Sequence, residues 1–167
     1  NAYDPIVMGT KEEERRARGM TEFTVVSAGR FVPWKGFRSV IEAVARAQNE
    51  IPDIRLILIG DGPERAALES AARERGSAER MVFTGALPRA HALSYVRAAD
   101  AFVLNTGYEG FAHFVLEAAA LETPIIMTDI PGNMEFLKDG VSALLVRHND
   151  IEGITRAIFK IHRDPAL

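Results

Sequence analysis

Two carboxylates stand close together in the second half of the chain, in a setting where charge is unexpected. Glu117 lies within the run GFAHFVLEAAAL, which is otherwise almost wholly apolar, and Glu109 stands eight residues earlier. A carboxylate is rarely buried without a partner, because an unpaired buried charge is costly. We therefore expect Glu117 to meet a group that donates hydrogen bonds to it.

The spacing of these carboxylates limits what they can do together. On a helix, eight residues make a little over two turns, which separates the two groups by about 12 Å along the axis. They cannot share one proton as a close pair does, and the separation suits an elongated ligand that is touched at two places. Two alternatives need no ligand: Glu109 as a helix cap, and Glu117 in a buried salt bridge to an arginine.

A basic loop follows the first predicted strand. The segment GRFVPWKG, from Gly29 to Gly36, carries Arg30 and Lys35. Glycine lets a backbone approach a ligand closely, arginine clamps phosphate through two parallel hydrogen bonds, and lysine acts as a point charge. Such a loop can clamp a diphosphate, but a basic loop taken alone is more often simply solvated.

The elements between these loops alternate between strand and helix. Continuous apolar runs indicate strands buried on both faces, and the alternation predicts a parallel sheet. The fold class is α/β: a three-layer, doubly wound, Rossmann-like parallel sheet. Such sheets bind ligands beyond the carboxyl ends of their strands, where these loops lie. Predicted strands are residues 23–28, 54–59, 81–84, 101–104, 125–128 and 143–146; predicted helices are 36–48, 63–75, 88–98, 151–162 and one that begins at 110.

Composition restricts the remaining possibilities. A chain of 167 residues is about one domain, and its net charge of −3 argues against broad nucleic-acid binding. The absence of cysteine excludes disulfides and thiolate metal sites, and no apolar run approaches the roughly 18–20 residues of a membrane span. The charged run at residues 11–18 is interpreted as a solvated linker, a surface helix, or a contact with a missing domain.

The motif around the two carboxylates extends further along the chain. The pattern Glu109-Gly110-Phe111, then Glu117, then Ala-x-x-x-x-Thr-Pro resembles the donor-binding signature of retaining group 1 glycosyltransferases (glycosyltransferase family 4). The resemblance runs from about residue 23 to about 162. It implies the C-terminal half of the two-domain GT-B fold, with residues 1–22 as a linker or domain start and residues 23–167 as the nucleotide-sugar donor-binding domain.

The resemblance implies that this domain serves a hexosyltransferase. Such enzymes move a sugar from a nucleotide diphosphate sugar to an acceptor hydroxyl with retention of configuration, and relatives build polysaccharide or glycolipid. The chain begins with Asn1 rather than Met, so we expect a fragment that lacks the N-terminal acceptor domain and is inactive alone. A cytoplasmic location is implied, with membrane contact only through the missing domain.

The resemblance assigns the nucleotide to five residues. Gly29, Arg30 and Lys35 would hold the diphosphate, and the two oxygens of Glu117 would accept hydrogen bonds from both ribose hydroxyls. Leu87, in the loop after the third strand, would lie beside the base, with simple core packing as its alternative. The turn GDGP at residues 60–63 resembles a family turn, and a plain turn is the alternative there.

The sugar end of the donor is assigned to the start of the motif. Glu109 would lie near the hydroxyls of the transferred sugar, and the helix start at Gly110, Phe111 and Ala112 would offer free N–H groups to the diphosphate. Catalysis is implied for Arg30 and Lys35, which stabilise the leaving group, and for Glu109. No Asp-x-Asp triplet is present, so we expect a metal-independent reaction without a cofactor.

Departures from the family pattern leave the donor open among UDP-, GDP- and ADP-linked sugars. Ala112 replaces the usual third glycine of the motif, and the segment NTGY at residues 105–108 differs from the common Pro-Ser. Three other classes of protein remain. A dinucleotide-binding oxidoreductase would want Gly-x-Gly-x-x-Gly, which the first loop does not supply. A non-catalytic nucleotide-binding or interaction module, and an epimerase or phosphorylase-like enzyme of the same fold, are the others.

Overall fold

Within residues 8–108, 113–131 and 138–164, which the computed structural model describes, six parallel strands form one sheet. Their order is β3-β2-β1-β4-β5-β6, so the direction of winding reverses between β1 and β4. The predicted α/β, doubly wound, Rossmann-like parallel sheet is confirmed. The strands are β1 (Thr24–Ala28), β2 (Arg55–Ile59), β3 (Met81–Gly85), β4 (Ala101–Leu104), β5 (Ile125–Thr128) and β6 (Leu144–Val146).

Helices cover both faces of the sheet in two layers. One layer contains α2, α3 and α6, and the other contains α1, α4 and α5. Among the described residues, none of the helices is long and apolar enough to cross a bilayer. The helices are α1 (Lys11–Ala17), α2 (Phe37–Ala47), α3 (Arg65–Glu74), α4 (Arg89–Ala98), α5 (His113–Ala120) and α6 (Ile151–Arg163).

The central strands are mostly apolar because they contribute side chains to two cores. Successive residues of a strand point to opposite faces. In β1, Val25 enters the core beneath α2 and α6, whereas Val26 enters the core beneath α4 and α5. Val26 aligns with Ile57 of β2 and with Phe102 of β4, and all three side chains lie in the second core. A polar residue in such a strand therefore needs a hydrogen-bond partner within the sheet, as Ser27 has in the Val103 carbonyl.

All six predicted strands are present, and their ends differ from the prediction by at most one residue. The predicted helix at residues 36–48 begins one residue later, because Gly36 has a φ of 57° and a right-handed helix cannot include that conformation. The helix predicted to start at residue 110 is seen from His113 onward, and residues 109–112 lie outside the described part of the chain.

The charged run near the start of the chain forms α1, which is held against the sheet by its own cations. Arg15 donates through Nη1 to Asp100 Oδ2 at 2.8 Å and to the Ala98 carbonyl at 3.0 Å, and Lys11 Nζ lies 3.1 Å from Asp100 Oδ1. Asp100 Oδ2 also accepts from the backbone N–H of Thr24 at 2.8 Å. One carboxylate therefore joins α1 to the starts of β1 and β4.

We expect Asp100→Asn to lower the free energy of unfolding by about 1.5–3 kcal/mol, because hydrogen bonds to a charged group are worth that much. The amide keeps the shape of the side chain but loses the charge that binds Arg15 and Lys11. Chemical denaturation would measure the loss. The matched control is Glu152→Gln, which breaks an exposed 2.6 Å pair with Arg156 and should cost under about 0.5 kcal/mol. Equal losses in the two variants would contradict the assignment.

Candidate functional site

A cleft of about 680 Å³ opens at the carboxyl ends of β1, β2 and β4, where the winding of the sheet reverses. Its floor is apolar and its rim carries charged side chains. Crevices at such reversal points are the usual ligand sites of open α/β sheets. The lining residues are Ala28, Gly29, Arg30, Lys35, Ile59, Gly60, Asp61, Ala86, Leu87, Arg89, Ala92, Leu104 and Phe114.

The basic loop after β1 is held by backbone hydrogen bonds on both sides of Arg30. The N–H of Gly29 donates to the Ile59 carbonyl at 2.9 Å, and the N–H of Phe31 donates to the Asp61 carbonyl at 2.9 Å. Phe31 is fully buried, whereas Arg30 is exposed and lines the cleft. The loop thus continues the sheet for a few residues and presents Arg30 from a supported backbone.

The loop after β2 makes this support possible because residue 60 is glycine. Gly60 has a φ of 142°, and a Cβ there would overlap the carbonyl oxygen of Gly29 and lie 3.0 Å from its carbonyl carbon. The turn at residues 60–63 therefore does more than reverse the chain: it lets two backbones meet beside the basic residue. Sequence alone could not reveal this, because the two segments lie thirty residues apart.

Lys35 ends a short 3-10 helix, Pro33–Lys35, and lines the cleft together with Arg30. The preceding residue, Trp34, is 52% exposed, and its carbonyl accepts a hydrogen bond of 2.7 Å from the N–H of Gly107. The loop after β1 is thereby joined to the loop after β4, which leads toward Glu109. Both predicted phosphate-binding side chains reach the same cleft.

Glu117 has a protein partner. Its side chain is 15% exposed and forms an ion pair with Arg89, the first residue of α4, whose side chain is 49% exposed. This contact is the salt bridge that the sequence left as the alternative to a ligand. Arg89 itself lines the cleft, so the pair stands at the cleft's edge.

Asp61 brings a negative charge to the rim, and a neighbouring arginine balances it. Arg65 donates to Glu69 at 2.9 Å and to Asp61 at 3.1 Å. The hydrogen bond to Glu69, followed by the one to Asp61, raises the pKa of Arg65, so the guanidinium stays charged. Arg65 is thus shared between two carboxylates, and Arg30 and Lys35 bring positive charge to the same cleft.

The structure brings most of the predicted nucleotide-binding residues together. Leu87 is half-buried, packs against the second core and also lines the cleft; its place beside a base stays a prediction. Arg89 and Phe114 were not predicted, and both line the cleft. Four predicted site residues lie outside the described part of the chain: Glu109, Gly110, Phe111 and Ala112.

The sequence around Arg89 and Phe114 gives little indication that they belong to a site. Arg89 reads as an ordinary surface residue at the start of a helix, and Phe114 as one more apolar residue of the motif run. The ring centroids of Phe114 and Phe102 are 5.5 Å apart, and Phe114 packs against the second core. Their shared place becomes visible only once α4 and α5 are known to lie side by side.

Comparison with known proteins agrees with this architecture. The family model for glycosyl transferases group 1 matches residues 10–167. The chain is 38% identical over 143 residues to the lipopolysaccharide core biosynthesis glycosyltransferase LpsE of Rhizobium meliloti strain 1021. This alignment covers 86% of the chain and 40% of LpsE. The chain therefore belongs to the group 1 glycosyltransferases. It spans well under half the length of the curated relatives that it matches.

Two solved structures share the fold. Sucrose-phosphate synthase of Thermosynechococcus elongatus superposes with a TM-score of 0.80 at 29% identity, covering 93% of this chain and 40% of that one. HepE of Anabaena, solved in complex with UDP and glucose, superposes with a TM-score of 0.84 at 23% identity, covering 93% and 43%. Both likenesses agree with the doubly wound sheet.

The pairing of Arg89 with Glu117 can be measured by a double-mutant cycle. Arg89→Gln and Glu117→Gln should show a coupling of about 0.5–1 kcal/mol in the free energy of unfolding, since one partner is half exposed, and the coupling should fall as salt rises. Arg97 of α4 pairs with Glu122 in the turn after α5, where the Glu122 side chain is 84% exposed, and their cycle should give a coupling near zero. If the two substitutions lower the free energy of unfolding additively, the Arg89–Glu117 pair contributes nothing to stability.

Proposed function

We propose that this chain is the C-terminal, donor-binding domain of a retaining GT-B glycosyltransferase of family 4. The observation that carries the proposal is that Arg30, Lys35 and Leu87 open into one cleft at the reversal point of the sheet. That combination suits a nucleoside diphosphate, which needs cations for its phosphates and an apolar wall for its base.

The diphosphate lies along the basic loop in this proposal. Arg30 binds two phosphate oxygens through parallel hydrogen bonds, and Lys35 supplies a second positive charge. Gly29 allows the phosphates to approach the backbone. The N–H groups at residues 110–112 are proposed as further donors at the start of a helix.

Ribose binding involves the edge of the cleft where Arg89 meets Glu117. A carboxylate offers two oxygens, which match the two neighbouring hydroxyls of a ribose. Binding therefore requires the hydroxyls to share Glu117 with Arg89 or to take its place. Leu87 and the adjoining Ala86 form the wall beside the base.

The reaction breaks the bond between the anomeric carbon and the diphosphate oxygen. The electron pair leaves with the nucleoside diphosphate, and the acceptor hydroxyl forms the new bond and gives up its proton. Arg30 and Lys35 stabilise the charge that develops on the leaving group. Glu109 is proposed to contact the hydroxyls of the transferred sugar. The reaction as proposed uses neither a metal ion nor a cofactor.

The relatives support a nucleotide sugar as the donor without choosing its base. HepE is solved with UDP and glucose, and a 30% identical relative from Mycolicibacterium smegmatis is a GDP-mannose-dependent mannosyltransferase. The name of LpsE supports a role in polysaccharide or glycolipid synthesis. We propose that an acceptor-binding domain lies elsewhere in the intact protein, which is cytoplasmic and meets the membrane only through that domain. This chain alone binds the donor with little turnover.

A non-catalytic nucleotide-binding module of the same fold is the second candidate. The observation that favours it is the Arg89 partner of Glu117, because a carboxylate that has a protein partner needs no ligand to explain it. Binding without transfer by the intact protein would distinguish this candidate.

Thermal shift of the chain against UDP, GDP, ADP and NAD tests donor binding directly. A ligand at about 100 times its dissociation constant stabilises a fold by roughly 2.7 kcal/mol. We expect one nucleoside diphosphate to raise Tm, and Glu117→Gln to abolish the rise. Glu122→Gln, at the exposed end of the same region, is the control and should keep it. Stabilisation by NAD alone would end the glycosyltransferase proposal.

Arg30 and Lys35 should affect the diphosphate more than the nucleoside. Lys35→Ala is expected to weaken the binding of a nucleoside diphosphate by about tenfold, the worth of one charge-assisted hydrogen bond of about 1.5 kcal/mol. Binding of the corresponding nucleoside should change little. Arg38→Ala removes a neighbouring cation, 62% exposed on α2, and should change neither affinity. Calorimetric titration measures all three, and equal losses for nucleoside and diphosphate would argue against a phosphate site.

A further inference from the structure

Asn105 is a buried amide at the point where the winding of the sheet reverses. It follows β4 directly and is 1% exposed. A buried side-chain amide must have hydrogen-bond partners, because leaving its polar atoms unpaired is costly. The partners of Asn105 lie in two other loops.

The amide of Asn105 joins three strand ends. Its Nδ2 donates to the carbonyl of Gly36 at 2.9 Å, in the loop after β1, and to Oδ1 of Asn149 at 3.1 Å, in the loop after β6. Its Oδ1 accepts from the backbone N–H of Asn149 at 2.9 Å. Asn149 Oδ1 also accepts from Ser39 Oγ at 2.9 Å, which carries the connection onto α2.

The backbone around this amide has the conformations that close approach demands. Gly36 has a φ of 57°, and a Cβ there would lie 2.6 Å from the Asn105 carbonyl oxygen. Asn149 has a φ of 61°, which asparagine adopts more readily than most residues. Gly36 and Asn149, which both have a positive φ, thus contact one buried side chain, that of Asn105.

Further hydrogen bonds hold the residues that follow Asn105. The N–H of Gly107 donates to the Trp34 carbonyl at 2.7 Å, and Thr128 Oγ1, at the end of β5, donates to the Thr106 carbonyl at 2.7 Å. The loop that leads to Glu109 is therefore attached to the loop after β1 on one side and to β5 on the other.

We propose that Asn105 is a positioning residue that sets the distance between the phosphate-binding loop and the loop that enters the carboxylate motif. Lys35 immediately precedes Gly36, and Glu109 follows Asn105 by four residues. This role rests on the proposed function, because it assumes that one donor contacts both loops. Residues 105–108 are also where the sequence departs from the family pattern.

The role predicts a selective defect. A nucleoside bound through Leu87 and Glu117 has no phosphate to contact the basic loop, so its affinity should change by less than about twofold. A nucleoside diphosphate and a nucleotide sugar span both loops, and their affinities should fall by about tenfold or more, the equivalent of one lost charge-assisted hydrogen bond. A residue that matters only for stability would weaken all three ligands equally or none.

The test is calorimetric titration of the chain with uridine, UDP and UDP-glucose, and with the corresponding guanosine and adenosine series, in which the nucleotide sugars are GDP-mannose and ADP-glucose. Asn105→Ala removes all three hydrogen bonds of the amide and adds no charge beside the diphosphate. Asn149→Gly is the milder second variant: glycine tolerates the positive φ and keeps the N–H, while Oδ1 is lost. Ser27→Ala is the matched control, because it removes a buried 2.7 Å hydrogen bond from β1 to the Val103 carbonyl of β4 without touching the loops.

Selective loss of the diphosphate and nucleotide-sugar affinities in both loop variants, with Ser27→Ala like the native chain, would support the role. Non-additive losses in the double variant would support it further, because the two residues share their hydrogen bonds. Unchanged affinities in Asn149→Gly and Asn105→Ala, or equal losses for all ligands, would overturn it. If the native chain binds none of these ligands, the proposed function fails first and the positioning role fails with it.

Discussion

The site exists because two neighbouring parallel strands send their chains to opposite faces of the sheet. β1 continues toward α2 in one helical layer, and β4 continues toward α5 in the other. The two helices lie on opposite faces of the sheet, and the space between them beyond the strand ends is filled by neither helix. The cleft is therefore a consequence of strand order, and the side chains at its rim are those that follow β1, β2 and β3.

The apolar pattern predicted the strands well because burial on both faces leaves little freedom in the choice of residue type. The central strands need apolar residues at both parities, as Val25 and Val26 illustrate in β1, so their runs stand out from the helices around them. The location of Arg30 and Lys35 after a strand was likewise enough to predict where they would lie. These predictions used only local sequence and the rule that parallel strands end at one edge.

The contacts that depend on strand order could not be predicted in this way. α4 follows the edge strand β3 and crosses back toward the centre of the sheet, where it meets α5. Arg89 reaches Glu117 only because of that crossing, and the sequence near either residue does not predict the contact. The close approach of Gly60 to Gly29 has the same origin, since it depends on β2 lying beside β1.

The central strands are cross-linked by side chains at three heights. Asp100 accepts from the N–H of Thr24 at their amino ends, Ser27 donates to the Val103 carbonyl in the middle, and Asn105 donates to the Gly36 carbonyl beyond their carboxyl ends. Shear between β1 and β4 would break all three at once. The register of the two strands that flank the cleft is therefore fixed at both of their ends and in the middle.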